Sequence, residues 1–176
     1  MARRRSLTKP TRAVPKGAPS DAPLPEDAQD RQSSQSTAKR AGEILAAKGI
    51  GFMIPSASQR RNLLVAFAKR GKVVYGRAFD VVRLAQALDL SDLAAVEAHL
   101  DAITVYEVKS SRKKLPSDFG GYFFALTAAE VLVAQSLRDQ FKFAFVNTVT
   151  KEHLELTLSE LWGRARAVYP TWSILF

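Results

Sequence analysis

Apolar and polar positions along the chain follow two spacings, one typical of helices and one typical of strands. Helical spacing predicts helices over residues 37–48, 59–69, 92–100, 127–138 and 159–168. Runs of β-branched and aromatic residues predict strands over residues 103–109, 122–126, 141–146 and 154–158. This mixture, without an internal repeat, predicts an α/β (α+β) domain in which a central mixed sheet is flanked by helices.

One segment in the middle of the chain has a pattern that two kinds of element could use. Residues 73–79 are mostly strand-forming types, which predicts a strand there. Residues 79–88 also have a spacing that a helix could use. The pattern alone leaves both possibilities open.

The two ends of the chain differ from the middle in composition. Residues 1–36 are basic and rich in Pro and Ser, with almost no large apolar side chains, so burial cannot offset their ordering entropy. We expect residues 1–36 to be a disordered tail and residues 37–176 to form one domain. Residues 169–176 are strongly apolar, and we expect them to pack on that domain, on a second copy of the chain or on a protein partner.

Composition limits the kinds of site that this domain can hold. The net charge of +9 favours a polyanionic partner, although excess Lys and Arg can also serve only to keep a protein in solution. Cysteine is absent and there are two histidines, so a metal ion would rely mainly on carboxylate oxygens, which suit Mg²⁺ or Mn²⁺. No apolar run approaches the ~20 residues that span a bilayer, and no apolar stretch follows the N-terminal arginines. We therefore expect a soluble cytoplasmic protein with no membrane partner.

The strand predicted over residues 103–109 carries the best candidate chemistry. Side chains alternate between the two faces of a strand, so we expect Glu107 and Lys109 on one face, with Val105 and Val108 on the other. A carboxylate can hold a metal ion, and a neighbouring cation can steady the charge that develops during phosphodiester hydrolysis. A Glu-x-Lys tripeptide is nevertheless common by chance, and an exposed ion pair on an edge strand is the plainer alternative.

Several segments around this pair carry a family resemblance, namely residues 106–111, residues 121–127, Glu130 with Ala134, and residues 143–146. In these positions the chain resembles the PD-(D/E)XK nuclease superfamily. Within it, the chain is most similar to the domain of unknown function at the C-terminus of plant NO VEIN proteins and in bacterial defence-related proteins, which resembles restriction-type nucleases. The resemblance implies a restriction-endonuclease-like α-β-β-β-α-β core.

The resemblance also implies a metal site. In such a core the ion is held by an Asp, by the motif Glu and by the carbonyl of the residue that follows this Glu. The corresponding groups here are a partner Asp, Glu107 and the backbone carbonyl of Val108, with Lys109 assisting the attacking water. Glu43 matches an acidic residue that many members carry in the first helix as an extra ligand, although a solvated helix charge would explain it equally.

The partner Asp is the point at which the sequence departs from the superfamily pattern. Asp80 has the expected aromatic-Asp-aliphatic context, but a predicted helix separates it from Glu107, where a tight hairpin is more usual. Asp101 begins the same strand as Glu107, and six residues of strand would place it about 20 Å away. We therefore expect Asp80 as the partner. Without a nearby Asp the site would be degenerate and the domain would only bind.

Together these features predict a Mg²⁺- or Mn²⁺-dependent deoxyribonuclease, an endonuclease-like domain in restriction, repair or defence, in which the Asp, Glu and Lys of that site are catalytic. The basic loop after the strand would contact DNA phosphates through Arg112, Lys113 and Lys114. Two alternatives stay open. One is a catalytically inactive nuclease-fold module that binds nucleic acid or a protein partner. The other is a structural subunit that docks through its apolar C-terminus.

Overall fold

The computed structural model describes residues 37–168, so the tail predicted over residues 1–36 and the apolar residues 169–176 lie outside the described part of the chain. The strands are β1 Phe52–Met53, β2 Val81–Leu84, β3 Ile103–Ser111, β4 Phe141–Asn147 and β5 His153–Leu156. The helices are α1 over residues 37–46, α2 Ala57–Lys69, α3 Leu93–Ala98, α4 Ala128–Leu137 and α5 Leu158–Arg164. None of these helices has the length and apolarity to cross a lipid bilayer.

All the strands described belong to one mixed sheet, in the order β1-β2-β3-β4-β5. The β3–β4 pair is parallel, and the other pairs are antiparallel. Parallel neighbours need a long connection, which here contains α4. The prediction of a mixed sheet flanked by helices is thus confirmed, and β3 is its central strand.

Helices cover both faces of the sheet. On the α1 face, Ala41 and Leu45 pack with Tyr106 and Val108. On the opposite face, which we call the α2–α5 face, the other helices pack on a core that includes Val105. Residues two apart in a strand share a face, so Glu107 points to the α2–α5 side, and the expectation that Val105 lies opposite it was wrong.

Three helices begin with a reciprocal capping box, in which a hydroxyl accepts a backbone N–H and a side chain three residues later bonds back to the cap. The pairs are Ser56–Gln59, Thr127–Glu130 and Thr157–Glu160. These contacts satisfy backbone donors that a helix start leaves without partners. The predicted start of α4 is confirmed, and its cap determines where the Glu130 carboxylate lies.

The strand predicted over residues 73–79 is wrong, as is the helix considered over residues 79–88. The strand in this region is instead β2, Val81–Leu84. Val81 and Val82 are both fully buried, because helices cover the two faces of the sheet. Without alternation between buried and exposed positions, the sequence pattern did not distinguish this strand from its surroundings.

The strand predicted over residues 122–126 is also wrong, since no strand is assigned to that segment. Tyr122 and Phe124 pack on Phe145 of β4, with ring centroids 6.1 and 4.8 Å apart. The segment therefore crosses the α2–α5 face instead of pairing with the sheet. Phe123, which lies between Tyr122 and Phe124 in the chain, is 79% exposed.

Candidate active site

The antiparallel pairing of β2 with β3 determines where Asp80 lies. Val81 is aligned with Tyr106, and one residue earlier the Asp80 N–H donates a hydrogen bond to the Tyr106 carbonyl at 2.8 Å. The Asp80 Oδ2 atom in turn accepts a hydrogen bond from the Val108 N–H at 3.0 Å. Two hydrogen bonds thus hold Asp80 against β3 beside Glu107, although α3 separates the two residues along the chain.

Lys109 forms ion pairs with two carboxylates. Its Nζ atom lies 3.0 Å from Glu107 Oε1 and 2.9 Å from Glu130 Oε2. Glu130 Oε2 also accepts the Thr127 N–H at 3.0 Å, so one carboxylate both caps α4 and holds the lysine of β3. We call Asp80, Glu107, Lys109 and Glu130 the carboxylate–lysine cluster.

Arg60, on α2, holds the turn that leads into Asp80. Its guanidinium donates hydrogen bonds to the carbonyls of Gly76, at 2.8 Å, and of Phe79, and lies 4.5 Å from the centroid of the Phe79 ring. Burial lowers the pKa of Arg60, and the charges of Asp80 and Glu107 act in the opposite direction. Arg60 is therefore a second cation close to the carboxylate–lysine cluster, and no motif in the sequence pointed to it.

Burial and neighbouring charges together shift the pKa values of the cluster. It raises the pKa of Glu107 to about 8; the charge of Asp80 acts the same way, and that of Lys109 opposes it. Burial also raises the pKa of Asp80, against a backbone hydrogen bond and the charge of Arg60. For Lys109, burial alone would lower the pKa, but Glu107 and Glu130 outweigh it and the pKa is raised. Three carboxyl groups face two cations, so a proton on Glu107 removes the surplus negative charge.

Three carboxylate oxygens of the cluster remain open to a ligand. No residue between 37 and 168 donates a hydrogen bond to Asp80 Oδ1, Glu107 Oε2 or Glu130 Oε1. Buried side-chain N and O atoms in this range all have partners, so these three oxygens must reach solvent. Carboxylate oxygens fit a hard cation such as Mg²⁺ or Mn²⁺. The same residues contain no group of three or more His, Asp or Glu side chains placed to hold a metal, so an ion here would also need backbone or water oxygens.

The two other acidic residues weighed from the sequence lie apart from the cluster. Asp101, which distance disfavoured, is 80% exposed in its side chain and pairs with Arg70 at 3.0 Å. Glu43 is exposed on α1, which packs on the α1 face, whereas Glu107 points to the α2–α5 face. Asp80 and Glu130, and not Glu43, are the carboxylates whose charges act on the pKa of Glu107. The structure thus does not join Glu43 to the cluster.

The three cations predicted to contact DNA differ in their surroundings. Lys113 and Lys114 are exposed at the start of the connection between β3 and α4. The Arg112 guanidinium donates a hydrogen bond to Thr37 Oγ1 on α1, at 3.1 Å. Lys113 and Lys114 thus remain accessible beside the end of β3, while Arg112 is tied to the helix on the other face.

Comparisons with known proteins add no identity to this site. Neither the protein-family models nor the curated proteins nor the solved structures include a match to the chain. The chemistry open to the cluster comes from its own groups. These are three open carboxylate oxygens, an ammonium group held between carboxylates, and a carboxyl group whose pKa burial raises to about 8.

Proposed function

We propose that this chain is a Mg²⁺- or Mn²⁺-dependent endonuclease-like domain that hydrolyses phosphodiester bonds in DNA, with Asp80, Glu107 and Lys109 as its catalytic residues. The proposal rests on the convergence of these three side chains, two from β3 and one from the residue that precedes β2. The plainer alternative, an exposed ion pair on an edge strand, fits poorly, because β3 is central and the Lys109 side chain is 13% exposed.

The order of the elements supports a restriction-endonuclease-like core. Taken in chain order, α1, β1, β2, β3, α4 and β4 agree with the α-β-β-β-α-β arrangement that the resemblance implies. Helices α2 and α3 are then additions to that core. The addition of α3 between β2 and β3 accounts for the missing hairpin between Asp80 and Glu107.

Each cluster residue has a distinct task in this proposal. Asp80 Oδ1, Glu107 Oε2 and the Val108 carbonyl would hold the ion, which when bound supplies Lewis-acid stabilisation of charge developing on a phosphate. An ammonium group has three N–H donors, and Lys109 spends two on Glu107 and Glu130. The third can donate to the phosphate or orient the attacking water. Because Glu107 binds a cation only when ionised, activity should rise with pH toward about 8.

The test is cleavage of supercoiled plasmid and of single-stranded DNA in Mg²⁺, in Mn²⁺ and in EDTA. Glu107→Gln and Lys109→Met should each lower the cleavage rate by about 100-fold or more, since the first removes a carboxylate that would hold the ion and the second removes a cation that stabilises the developing negative charge. The matched controls are Glu97→Gln and Lys69→Met, which alter an exposed ion pair between α2 and α3. The controls should cut at the wild-type rate.

Two results would contradict the proposal. The first is a folded wild-type protein that cuts neither substrate in either metal. The second is metal-dependent cleavage that the cluster variants retain in full, since the activity would then come from another site or from a contaminant. A melting curve of each variant establishes that it is folded before its rate is compared.

A second function, a binding module without catalysis, is favoured by the pairing of Lys109. Its ammonium is held by Glu107 and Glu130 and links β3 to α4, so a purely structural role would also explain the cluster. In that case DNA binding would weaken with salt, persist in EDTA and proceed without cleavage in any metal. Lys109→Met would then alter stability and leave DNA affinity unchanged.

A further inference from the structure

Two loops meet at the carboxyl ends of β3 and β4. One is the β3–α4 connection, residues 112–127, and the other is the turn between β4 and β5, residues 148–152. Because β3 and β4 are parallel, both loops leave the sheet at the same edge. Strand β3 ends two residues beyond Lys109, roughly 7 Å along the strand. This edge of the sheet therefore adjoins the carboxylate–lysine cluster.

Asn147, a buried residue at the end of β4, links these two loops by hydrogen bonds. Its Nδ2 atom donates to the Lys113 carbonyl at 3.0 Å, and its Oδ1 atom accepts from the N–H groups of Val149 and Thr150 at 3.0 and 3.2 Å. The Lys151 N–H donates to the Asn147 carbonyl at 2.8 Å. The backbones of Lys113 and Lys151 are thus both hydrogen-bonded to one residue, Lys113 to the Asn147 side chain and Lys151 to the Asn147 carbonyl.

Together, these two loops carry an excess of positive charge. Their exposed lysines, none of which forms an ion pair with a described residue, are Lys113, Lys114 and Lys151. The acidic side chains of the two loops are engaged locally, Asp118 by the Gly120 N–H and Glu152 by the Thr150 hydroxyl. Three ammonium groups therefore remain available for an anionic partner.

We infer that Lys113, Lys114 and Lys151 form one phosphate-binding surface that holds the DNA backbone against the carboxylate–lysine cluster. The inference rests on the proposed function. It adds Lys151, which no sequence motif indicated, and it removes Arg112, whose guanidinium is bound to α1. Binding through such a surface is electrostatic and independent of sequence, because contacts to phosphates carry no information about the bases.

The experiment is fluorescence anisotropy with the full chain and a dye-labelled DNA duplex in EDTA, over a salt series. Each phosphate contact that is removed should lower the slope of log affinity against log salt by about 1. We expect this change for Lys151→Gln alone, and a change of about 3 for the variant that lacks all three lysines. The controls are Arg112→Gln and Lys48→Gln, whose side chains lie outside the surface and should leave the slope unchanged.

The role of Asn147 has a test of its own. Asn147→Asp keeps the acceptor for the β4–β5 turn and removes the amide donor to the Lys113 carbonyl. It should weaken DNA binding. The slope of log affinity against log salt should also fall by more than the roughly one unit that the added negative charge explains. Glu152→Gln, which makes the turn less negative without touching this hydrogen bond, should strengthen binding. If the slope of log affinity against log salt changes by one unit or less in Asn147→Asp, Asn147 does not position the two loops for DNA binding.

Failure of the surface and failure of the proposed function give different results. If the slope of log affinity against log salt is the same in Lys151→Gln as in the wild type, the inferred phosphate-binding surface is wrong, even when cleavage is normal. Absence of DNA binding by the wild type at low salt overturns it as well. Binding that depends on the three lysines, without cleavage in any metal, supports the surface and overturns the nuclease proposal.

Discussion

The protonation of Glu107 gives the sharpest prediction about stability. Burial, with the charge of Asp80, raises the Glu107 pKa from an ordinary 4.5 to about 8. The folded protein therefore binds this proton more tightly than the unfolded chain does. The stabilisation is fully present below about pH 4.5 and is lost as the pH rises through about 8, so the wild type should become less stable across this interval.

The size of the loss follows from the linkage between proton binding and folding. A group that is protonated only in the folded state changes the free energy of unfolding by at most ~1.4 kcal/mol per pH unit. Over the interval from 4.5 to about 8 the upper limit is ~5 kcal/mol. Because Asp80 and Lys109 share the site and spread the proton, we expect about 2 to 5 kcal/mol.

The variant that isolates this effect is Glu107→Gln, which is uncharged at every pH. Urea denaturation in EDTA between pH 5 and pH 9 should show the variant gaining stability relative to the wild type as the pH rises. His153, whose pKa burial lowers, acts in the opposite direction, but it is present in both proteins and cancels in the difference. Glu97→Gln, at an exposed ion pair, should give a flat difference.

If the difference in free energy of unfolding between Glu107→Gln and the wild type stays within about 0.5 kcal/mol from pH 5 to pH 9, the reasoning is refuted, since Glu107 would then be ionised throughout.

The same stability measurement in excess Mg²⁺ is a second test. A cation bound by the ionised carboxylate takes the place of the proton, so Mg²⁺ should raise the wild-type stability more at pH 8 than at pH 6. The same addition should leave Glu107→Gln unchanged.

Three further substitutions test the contacts around the cluster. Arg60→Met should lower the free energy of unfolding by about 2 to 3 kcal/mol in urea denaturation, because it leaves the backbone carbonyls before β2 without a donor. Its control, Arg61→Met at an exposed position, should lower it by less than about 0.5 kcal/mol. Lys109→Met should cost about 3 kcal/mol at pH 9 and less at pH 5, where its partner Glu107 is protonated. Lys69→Met, from an exposed pair, should cost under about 1 kcal/mol at either pH. Tyr106→Phe removes a 2.9 Å hydrogen bond to a carboxylate of β5 on the α1 face, so it should cost about 1 kcal/mol and leave any cleavage rate unchanged.

The features that could be predicted from the sequence are those that local chemistry determines. The alternation of a strand placed Glu107 and Lys109 on one face, and both lie on the same face of β3. The capping box at Thr127 and Glu130 marked the start of α4. In both cases the signal lies within a few residues and does not depend on which strands pair.

The features that could not be predicted depend on pairing between distant parts of the chain. The position of Asp80 follows from the register of β2 on β3, and β2 is buried on both faces, so its pattern lacks the alternation of a strand. Capping accounted for Glu130, and nothing local indicated that the same carboxylate reaches Lys109. The contacts of Arg60 with the turn before β2 likewise appear only once the chain is folded.

The central claim is that Asp80 works with Glu107 in metal-dependent cleavage of DNA, and a matched pair of substitutions tests it most directly. Asp80→Asn removes one charge from the cluster, and Asp101→Asn removes one from an exposed pair with Arg70. Nicking of supercoiled plasmid in Mn²⁺ should be equal in the wild type and Asp101→Asn, and about 100-fold slower or more in Asp80→Asn. No nicking by the folded wild type, or equal nicking by Asp80→Asn, would contradict the account.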